Sequence, residues 1–375
     1  MTSSLNPYLV RILYLLFYLC ILILMTNCQG NKTCEWRAIT VSTSEIPEPR
    51  FDHSLVSYPT SQNVTKCENN LIFGGAGLNG RLFQDLWSFD LESMSWSSNS
   101  NFSLNSPPPL SDHSVVFDST NGEMYVFGGK TLDGTVSNNL WALNIRENAW
   151  TLVLNGSSIV NPIPSPRMAH TAVLTQGAMI IFGGSSGKQI LNDIWKLDLE
   201  RLSWQQLIVP NGPSSRAYHS CVVYQNQMLV FGGFDGEKEL NDLWSFDLVA
   251  HRWNSLGNAP IVPRSGHVAV MKGNSMIVFG GESLSAGSYS CLKDLWIYNI
   301  LKFTWQENTP SSICPQPRLG ARAIALSDHS KYIGGKDVIE SEAVMFLFGG
   351  IEVEGPNWSI LRIFNDSWLL YCSLE

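Results

Sequence analysis

Between positions 216 and 253 the chain reads Arg216-Ala217-Tyr218-His219, then Leu229-Val230-Phe231-Gly232-Gly233, then Asp242-Leu243-Trp244, and finally Trp253. The same order of landmarks recurs along the whole chain. Glycine pairs end an apolar run at Gly74-Gly75, Gly128-Gly129, Gly183-Gly184, Gly232-Gly233, Gly280-Gly281 and Gly349-Gly350. Each pair is followed by a tryptophan: Trp87, Trp141, Trp195, Trp244, Trp296 and Trp368. In the first five units a second tryptophan follows at one fixed interval: Trp96, Trp150, Trp204, Trp253 and Trp305. Chance does not hold that register through five units.

Each unit splits into short apolar or alternating runs bounded by Gly, Asn, Asp and Ser, which is the pattern of strands and turns. We assign four antiparallel strands, a to d. Strand a carries the repeat histidine, b runs into Gly-Gly, c begins at Asp-x-Trp, and d holds the second tryptophan. Two units depart from the pattern. Leu110 and Asn139 stand in the Arg and Asp positions of the second, and Ala321 replaces the histidine of the sixth.

Units of roughly 50 residues with these landmarks closely resemble kelch repeats. The resemblance runs from about Trp36 to the C-terminus and implies an all-β, six-bladed kelch β-propeller, a galactose-oxidase-like ring. Radial repetition leaves only short, protected sheet edges. The sixth unit ends just past Trp368 without a strand d, while Cys34-Glu35-Trp36-Arg37-Ala38-Ile39 looks like an orphan strand d. We therefore expect the segment around Trp36 to pair with the strand through Trp368 to Tyr371 and close the ring. That makes 31–375 one propeller domain.

The 375 residues are 44% apolar and 15% charged, with a net charge of -8. No basic footprint for nucleic acid is present. At the N-terminus Arg11 precedes an apolar run from Ile12 to Met25, then Thr26-Asn27-Cys28-Gln29-Gly30. That length fits a cleaved signal peptide over 1–30 better than a membrane span. The alternative is an uncleaved signal anchor, the one arrangement that would tie the chain to a membrane. Acceptor sequons at Asn31, Asn63, Asn101, Asn155 and Asn357 fit a secreted glycoprotein, and Asn365, beside a strand c, is the weakest of the set.

Six of the eight cysteines lie beyond the signal. Repeat alignment puts Cys372 at the Leu91 position and Cys34 at the Met94 position, flanking the tight turn between strands c and d. Such residues lie within about 7 Å at Cα, a separation a disulfide can span. We expect a Cys34–Cys372 bridge clasping the ring. Cys291–Cys314 is the second choice, on the ground that strand alternation puts both on one face. Cys67 could compete with Cys372 for Cys34, and Cys221 reads as a buried free thiol.

The repeated residues favour structural roles. The five histidines read as packing groups, because a zinc site needs its ligands within about 2.1 Å of one ion. We assign neither a metal nor a cofactor. For kelch propellers that bind peptides, the resemblance implies that arginines on the face of b–c and d–a loops contact acidic ligands, so Arg50, Arg167, Arg216, Arg264 and Arg318 are binding candidates. The single-copy loops of the last two blades are the other candidates: Glu282 to Lys293 with Tyr289, and Ile351 to Asn365 with Trp358 and Arg362. Long loops on a rigid scaffold are where binding concentrates. The long segment Ser327 to Glu342 belongs with them. Enzymatic readings fare worse. The iron motif of plant specifier proteins, Glu-x-x-x-Asp-x-x-x-His, is met only by Asp247 and His251, with Leu243 in the Glu position. The first functional reading is an extracellular scaffold that binds a protein partner. The alternative is a carbohydrate-binding or sugar-modifying kelch protein.

Overall fold

The computed structural model describes residues 34–59, 68–99, 105–156, 162–285, 287–308, 313–327, 342–372 and 374. The N-terminal segment 1–33, which holds the expected signal peptide and Asn31, lies outside the described residues, as do Cys67, Asn63, Asn101 and most of the stretch from 327 to 342.

Six four-stranded antiparallel sheets form the blades. Blade 4 is representative, with strands Ser220–Tyr224, Gln227–Phe234, Glu239–Asp247 and Arg252–Asn258 in sequential order. In blade 6 the outermost strand comes from the other end of the chain. Cys34–Ala38 pairs antiparallel with Ser367–Cys372, setting Trp36 opposite Leu370 and Ala38 opposite Trp368. The Cys34–Cys372 disulfide closes the same register, with Cα atoms 4.3 Å apart. Each innermost strand touches its neighbours on both sides, including blade 6 with blade 1, so the ring is closed.

The glycine pair makes that ring possible. The second glycine donates its N–H to the residue at the Arg position of the next blade: Gly183-Gly184 reaches Arg216, and Gly349-Gly350 reaches back to Arg50, at 2.8 and 2.9 Å. A Cβ on Gly183 would lie 2.6 Å from the Arg216 carbonyl, and φ there is +61°. Only glycine tolerates both the contact and the conformation.

Aromatic residues fill the space between blades. The Phe before each glycine pair meets the strand-d tryptophan of the next blade, as in Phe127–Trp204 and Phe182–Trp253, both at 5.0 Å. Phe279 of blade 5 meets Trp36 at 4.9 Å. Trp36 thus occupies the blade-6 position that the repeat requires. These rings are large apolar bodies in a dry interface.

A seventh four-stranded sheet lies outside the blades, which the repeat does not foretell. Hairpin Glu282–Ser285/Ser288–Cys291 comes from the b–c connection of blade 5, and hairpin Ile351–Gly355/Ser359–Ile363 from that of blade 6. They join through Tyr289 opposite Gly355 and Ser290 opposite Glu354. We call it the bridging sheet. It also corrects the expected Cys291–Cys314 disulfide, since both thiols are free. Cys291 leaves the blade with its hairpin, and its Sγ lies 3.2 Å from the Val353 N–H and 3.7 Å from the Ile351 carbonyl. Cys314 packs instead against the core between blades 5 and 6. Cys221 is a free, half-buried thiol that burial pushes up to about 12.

Candidate functional site

The five repeat arginines are fully buried. Arg216 uses every N–H it has. Nη1 donates to Asp242 Oδ1 and the Gly232 carbonyl, Nη2 to Asp242 Oδ2 and Ser214 Oγ, and Nε to the Ser214 carbonyl. Arg50, Arg167, Arg264 and Arg318 make the same two-pronged contact with Asp85, Asp193, Asp294 and Asp366. Such forked pairs are the strong kind. The tryptophan two residues on adds its indole N–H to the same carboxylate, as Trp244 does to Asp242 at 2.7 Å. Burial alone would raise the Asp193, Asp242 and Asp294 carboxyls, yet the arginine bonds outweigh it and hold them below their usual range. The expectation that these arginines meet an acidic ligand is therefore corrected, because each is buried and forked onto the aspartate of its own blade. Blade 2 lacks both partners together, with Leu110 and Asn139, so neither is stranded.

Three histidines are paired at Nε2 in the same repeated way, while their Nδ1 atoms have no partner. The Nε2 of His170, His219 and His267 pairs with Ser114, Thr171 and Ser220 of the preceding blade at 2.7 to 2.8 Å. Burial lowers all of them, His267 to about 3, so they are neutral at physiological pH. His53 and His113 differ. They are equally buried, yet none of their ring nitrogens has a partner. Arg322 stands next to the sixth blade's Ala321, in the position where blades 1 to 4 carry Ser or Thr and blade 5 carries Val268.

The loop candidates are brought together. Tyr289, Trp358 and Arg362 all belong to the bridging sheet or its turn. The Trp358 indole donates to Glu282 Oε2 at 2.6 Å, locking one hairpin to the other, and Ser265 Oγ donates to Oε1 at 3.2 Å. A small apolar cluster of Leu319, Ile351 and Val353, with Trp358 and Phe51 against it, seats the sheet on the ring. The outermost strand, Ser359–Ile363, pairs on one side only among the described residues. Ile360 and Leu361 are about half exposed there, at 48% and 51%. Arg362 is exposed beside them, opposite Glu352. Asn357 is exposed at the hairpin turn and Asn155 is exposed in blade 2, while the Asn365 amide donates to the Pro47 carbonyl.

Beside this sheet lies the mouth of the propeller axis. The residue before the repeat histidine position is Asp52, Asp112, Ala169, Tyr218, Gly266 and Gly320 in blades 1 to 6. All six have positive φ, between 52° and 64°. Each donates its N–H to the carbonyl of the equivalent residue in the preceding blade, and Asp52 donates to Gly320. The result is a closed ring of six backbone hydrogen bonds around the axis. It gathers side chains distant in sequence. Burial, then the Asp112 charge, raises the Asp52 carboxyl well above its usual range, and burial likewise raises Asp112. The charge on Asp112, then burial, raises the Tyr218 phenol. Burial raises Glu282 as well. Arg322 approaches Asp52 only to 3.7 Å. Below the rim the inner strands line an open cavity of about 330 Å3, with Val116, Cys221 and Ile324 in its wall.

Sequence reasoning missed Asp52, Asp112, Tyr218, Glu282 and Arg322. The available signal was variability within a fixed frame, since the residue before each histidine changes while its neighbours repeat.

The chain matches the KLHDC2/KLHL20/DRC7 Kelch-repeats domain over residues 23–162, 63–256 and 209–347. It is 25% identical over 314 residues to acyl-CoA-binding domain-containing protein 5 of Arabidopsis thaliana, covering 81% of this chain and 38% of that protein. Against host cell factor 1 of Homo sapiens it is 26% identical over 295 residues, covering 71% of the chain and 12% of the relative. Kelch domain-containing protein 10 of Rattus norvegicus is 31% identical over 140 residues, covering 36% and 33%. The chain thus spans less than two fifths of the length of each of these relatives.

Proposed function

This chain belongs to the kelch-repeat family, and we propose that it is an exported protein-binding propeller whose b–c and d–a loop face holds the partner. One observation carries the placement. On that face the single-copy residues gather into an axial mouth and a sheet whose edge strand has no further partner among the described residues, while the repeated arginines are spent inside the blades. Open edges are liabilities that proteins usually cover, and an extended partner segment covers one by adding a strand. Ile360 and Leu361 supply apolar contacts on opposite sides of that edge, as alternation along a strand demands.

Three features support export. The N-terminal apolar segment has the length of a signal peptide. A disulfide joins Cys34 to Cys372, and such bonds persist in oxidising compartments. Asn155 and Asn357 are exposed sequons. Among the described residues no helix is long and apolar enough to cross a membrane.

The test has two parts. Mass spectrometry of protein from a secreting eukaryotic culture should find it in the medium, beginning near Asn31 and glycosylated. Recovery only from cells, with the N-terminus intact, would remove the export reading. A partner crosslinked from the medium should then be lost from the Ile360→Asp/Leu361→Asp variant while near-ultraviolet circular dichroism stays native. Retention would move the site elsewhere.

A further inference from the structure

Blades 6, 1 and 2 meet at the axial mouth, and among the described residues it is in this sector that a repeat histidine has no partner at Nε2 and a rim carboxyl has an oxygen without a donor, whereas the Nδ1 of all five repeat histidines is unpaired. Asp112 is 8% exposed, and its Oδ2 accepts from Ser111 at 3.0 Å while its Oδ1 has no donor. His53 and His113 are 0% and 3% exposed, and all four of their ring nitrogens lack partners. Around the rest of the ring, Nε2 of each equivalent histidine meets a hydroxyl. Native proteins leave few such groups, and each calls for an explanation.

The charges around the sector do not balance. Asp52, Asp112 and Glu282 interact electrostatically with one another or with Tyr218, and the counter-charges are Arg322 and, for Asp112, Lys130. Arg322 does not close the gap. Its Nη1 donates to the adjacent Ala321 carbonyl, and its 3.7 Å approach to Asp52 is too long for a hydrogen bond. The groups facing the carboxyl pair are therefore Arg322 from blade 6, Lys130 from blade 2, Tyr218 from blade 4, Glu282 from the bridging sheet, and the neutral His53 and His113. None of them gives Asp112 Oδ1 a hydrogen bond, and besides Ser111 the side-chain hydrogen bond of Asp112 is the one it shares with Asp52.

We propose that the axial mouth is a receptor for a nitrogen cation, an ammonium or guanidinium group whose N–H donors fill Asp112 Oδ1 and Asp52. Such a cation replaces the shared proton with N–H donors and supplies the positive charge that ionisation of both carboxyls requires. With the mouth unfilled, two neighbouring carboxyls share one proton, since two like charges in a buried site cannot both ionise. Binding ionises the pair, and the proton leaves to solvent. A lysine or arginine side chain of a protein partner and a free amine carry the same chemistry. The first source rests on the partner-binding role proposed for this face.

The test is calorimetric titration of the full mature chain with four compounds: Nα-acetyl-lysine amide, Nα-acetyl-arginine amide, cadaverine, and Nα-acetyl-norleucine amide as the uncharged isostere. Titration in two buffers of different ionisation enthalpy counts the protons. We expect a cationic compound to bind at least tenfold more tightly than the norleucine compound, with proton release, and with affinity rising with pH until the pair is ionised. Asp112→Asn should lose at least tenfold of that affinity. Asp52→Asn is the second variant, should the first fail to fold. Preference for the amino-acid amides over cadaverine assigns the ligand to a protein side chain, and the reverse assigns it to a free amine. Equal binding of cationic and norleucine compounds, or unchanged affinity in a folded Asp112→Asn variant, overturns the proposal. The titration needs no protein partner, so its failure is distinct from failure of the partner-binding reading.

Discussion

Gly350 donates its backbone N–H to the carbonyl of Arg50 at 2.9 Å, the same bond that Gly184 makes to Arg216 within the body of the ring. The last repeat therefore grips the first through the bond that joins every other pair of blades. The closure carries two further links, the strand pairing of Cys34–Ala38 and the disulfide from Cys34 to Cys372.

The disulfide closes a loop with a sequence separation of 338 residues. Removing such a bond costs about 2–5 kcal/mol. Cys34→Ser/Cys372→Ser should lower the thermal midpoint and leave the folded spectrum unchanged. Reductant should lower the wild-type midpoint by a similar amount and leave the variant unmoved.

The buried ion pair of each blade predicts a non-additive pair of substitutions. Arg216→Leu leaves Asp242 without its counter-charge, and breaking a buried pair this way costs about 3–5 kcal/mol. Adding Asp242→Asn should restore much of the loss, because blade 2 already holds Leu110 and Asn139 in those positions. Urea unfolding of the two single variants and the double variant measures the coupling. Simple additivity would contradict the account.

Glycine at the first position of each pair is required by contact as well as conformation. Gly183→Ala places a Cβ 2.6 Å from a backbone oxygen that cannot move without separating two blades. It should destabilise the fold by more than Gly122→Ala, where φ is also positive but nothing lies within 4 Å. Equal losses in chemical denaturation would show that backbone strain alone sets the cost.

Acid should weaken the fold through its histidines. Burial lowers His113 and His267 to about 3, against an ordinary value of 6.5. Between those limits the unfolded chain binds more protons than the folded one, so stability rises with pH across that window. The contribution is complete above about 6.5 and is lost as pH falls toward 3. His267→Gln should flatten the slope of stability against pH over this window.

The axial carboxyls work in the opposite direction. Burial raises Asp52 and Asp112, so their contribution is present at low pH and is lost as pH rises through their folded-state values. Asp112→Asn should therefore stabilise the protein at neutral pH, where it removes a buried like charge. A stability cost held at a binding site is a familiar trade. Destabilisation by this variant at pH 8 would contradict the like-charge account of the mouth.

Much of this architecture is legible from the chain because its determinants are local and repeated. Trp36 could be placed in blade 6 since a strand-d tryptophan was the missing part of the period, and Cys34 followed from that register. The bridging sheet was not legible. Its hairpins have no counterpart elsewhere in the repeat, and their pairing depends on how blades 5 and 6 sit side by side. Cys291 was misassigned for that reason, since alternation was counted along a loop that in fact leaves the blade. The arginines were misjudged because a charge at a loop face reads as exposed until its buried carboxylate is found. The mouth was missed because its residues come from blades 1, 2, 4, 5 and 6, and only ring closure makes them neighbours.

The most direct test of the account is crosslinking mass spectrometry that maps where a partner from the culture medium sits on the propeller. The account predicts crosslinks on residues 282–291 and 351–363 and around the axial mouth. The opposite face offers a clear competitor, since Val249, Leu301 and Phe303 are exposed there in the c–d turns, at 64%, 61% and 68%. Crosslinks concentrated on those turns, with the bridging sheet and the mouth unlabelled, would contradict it.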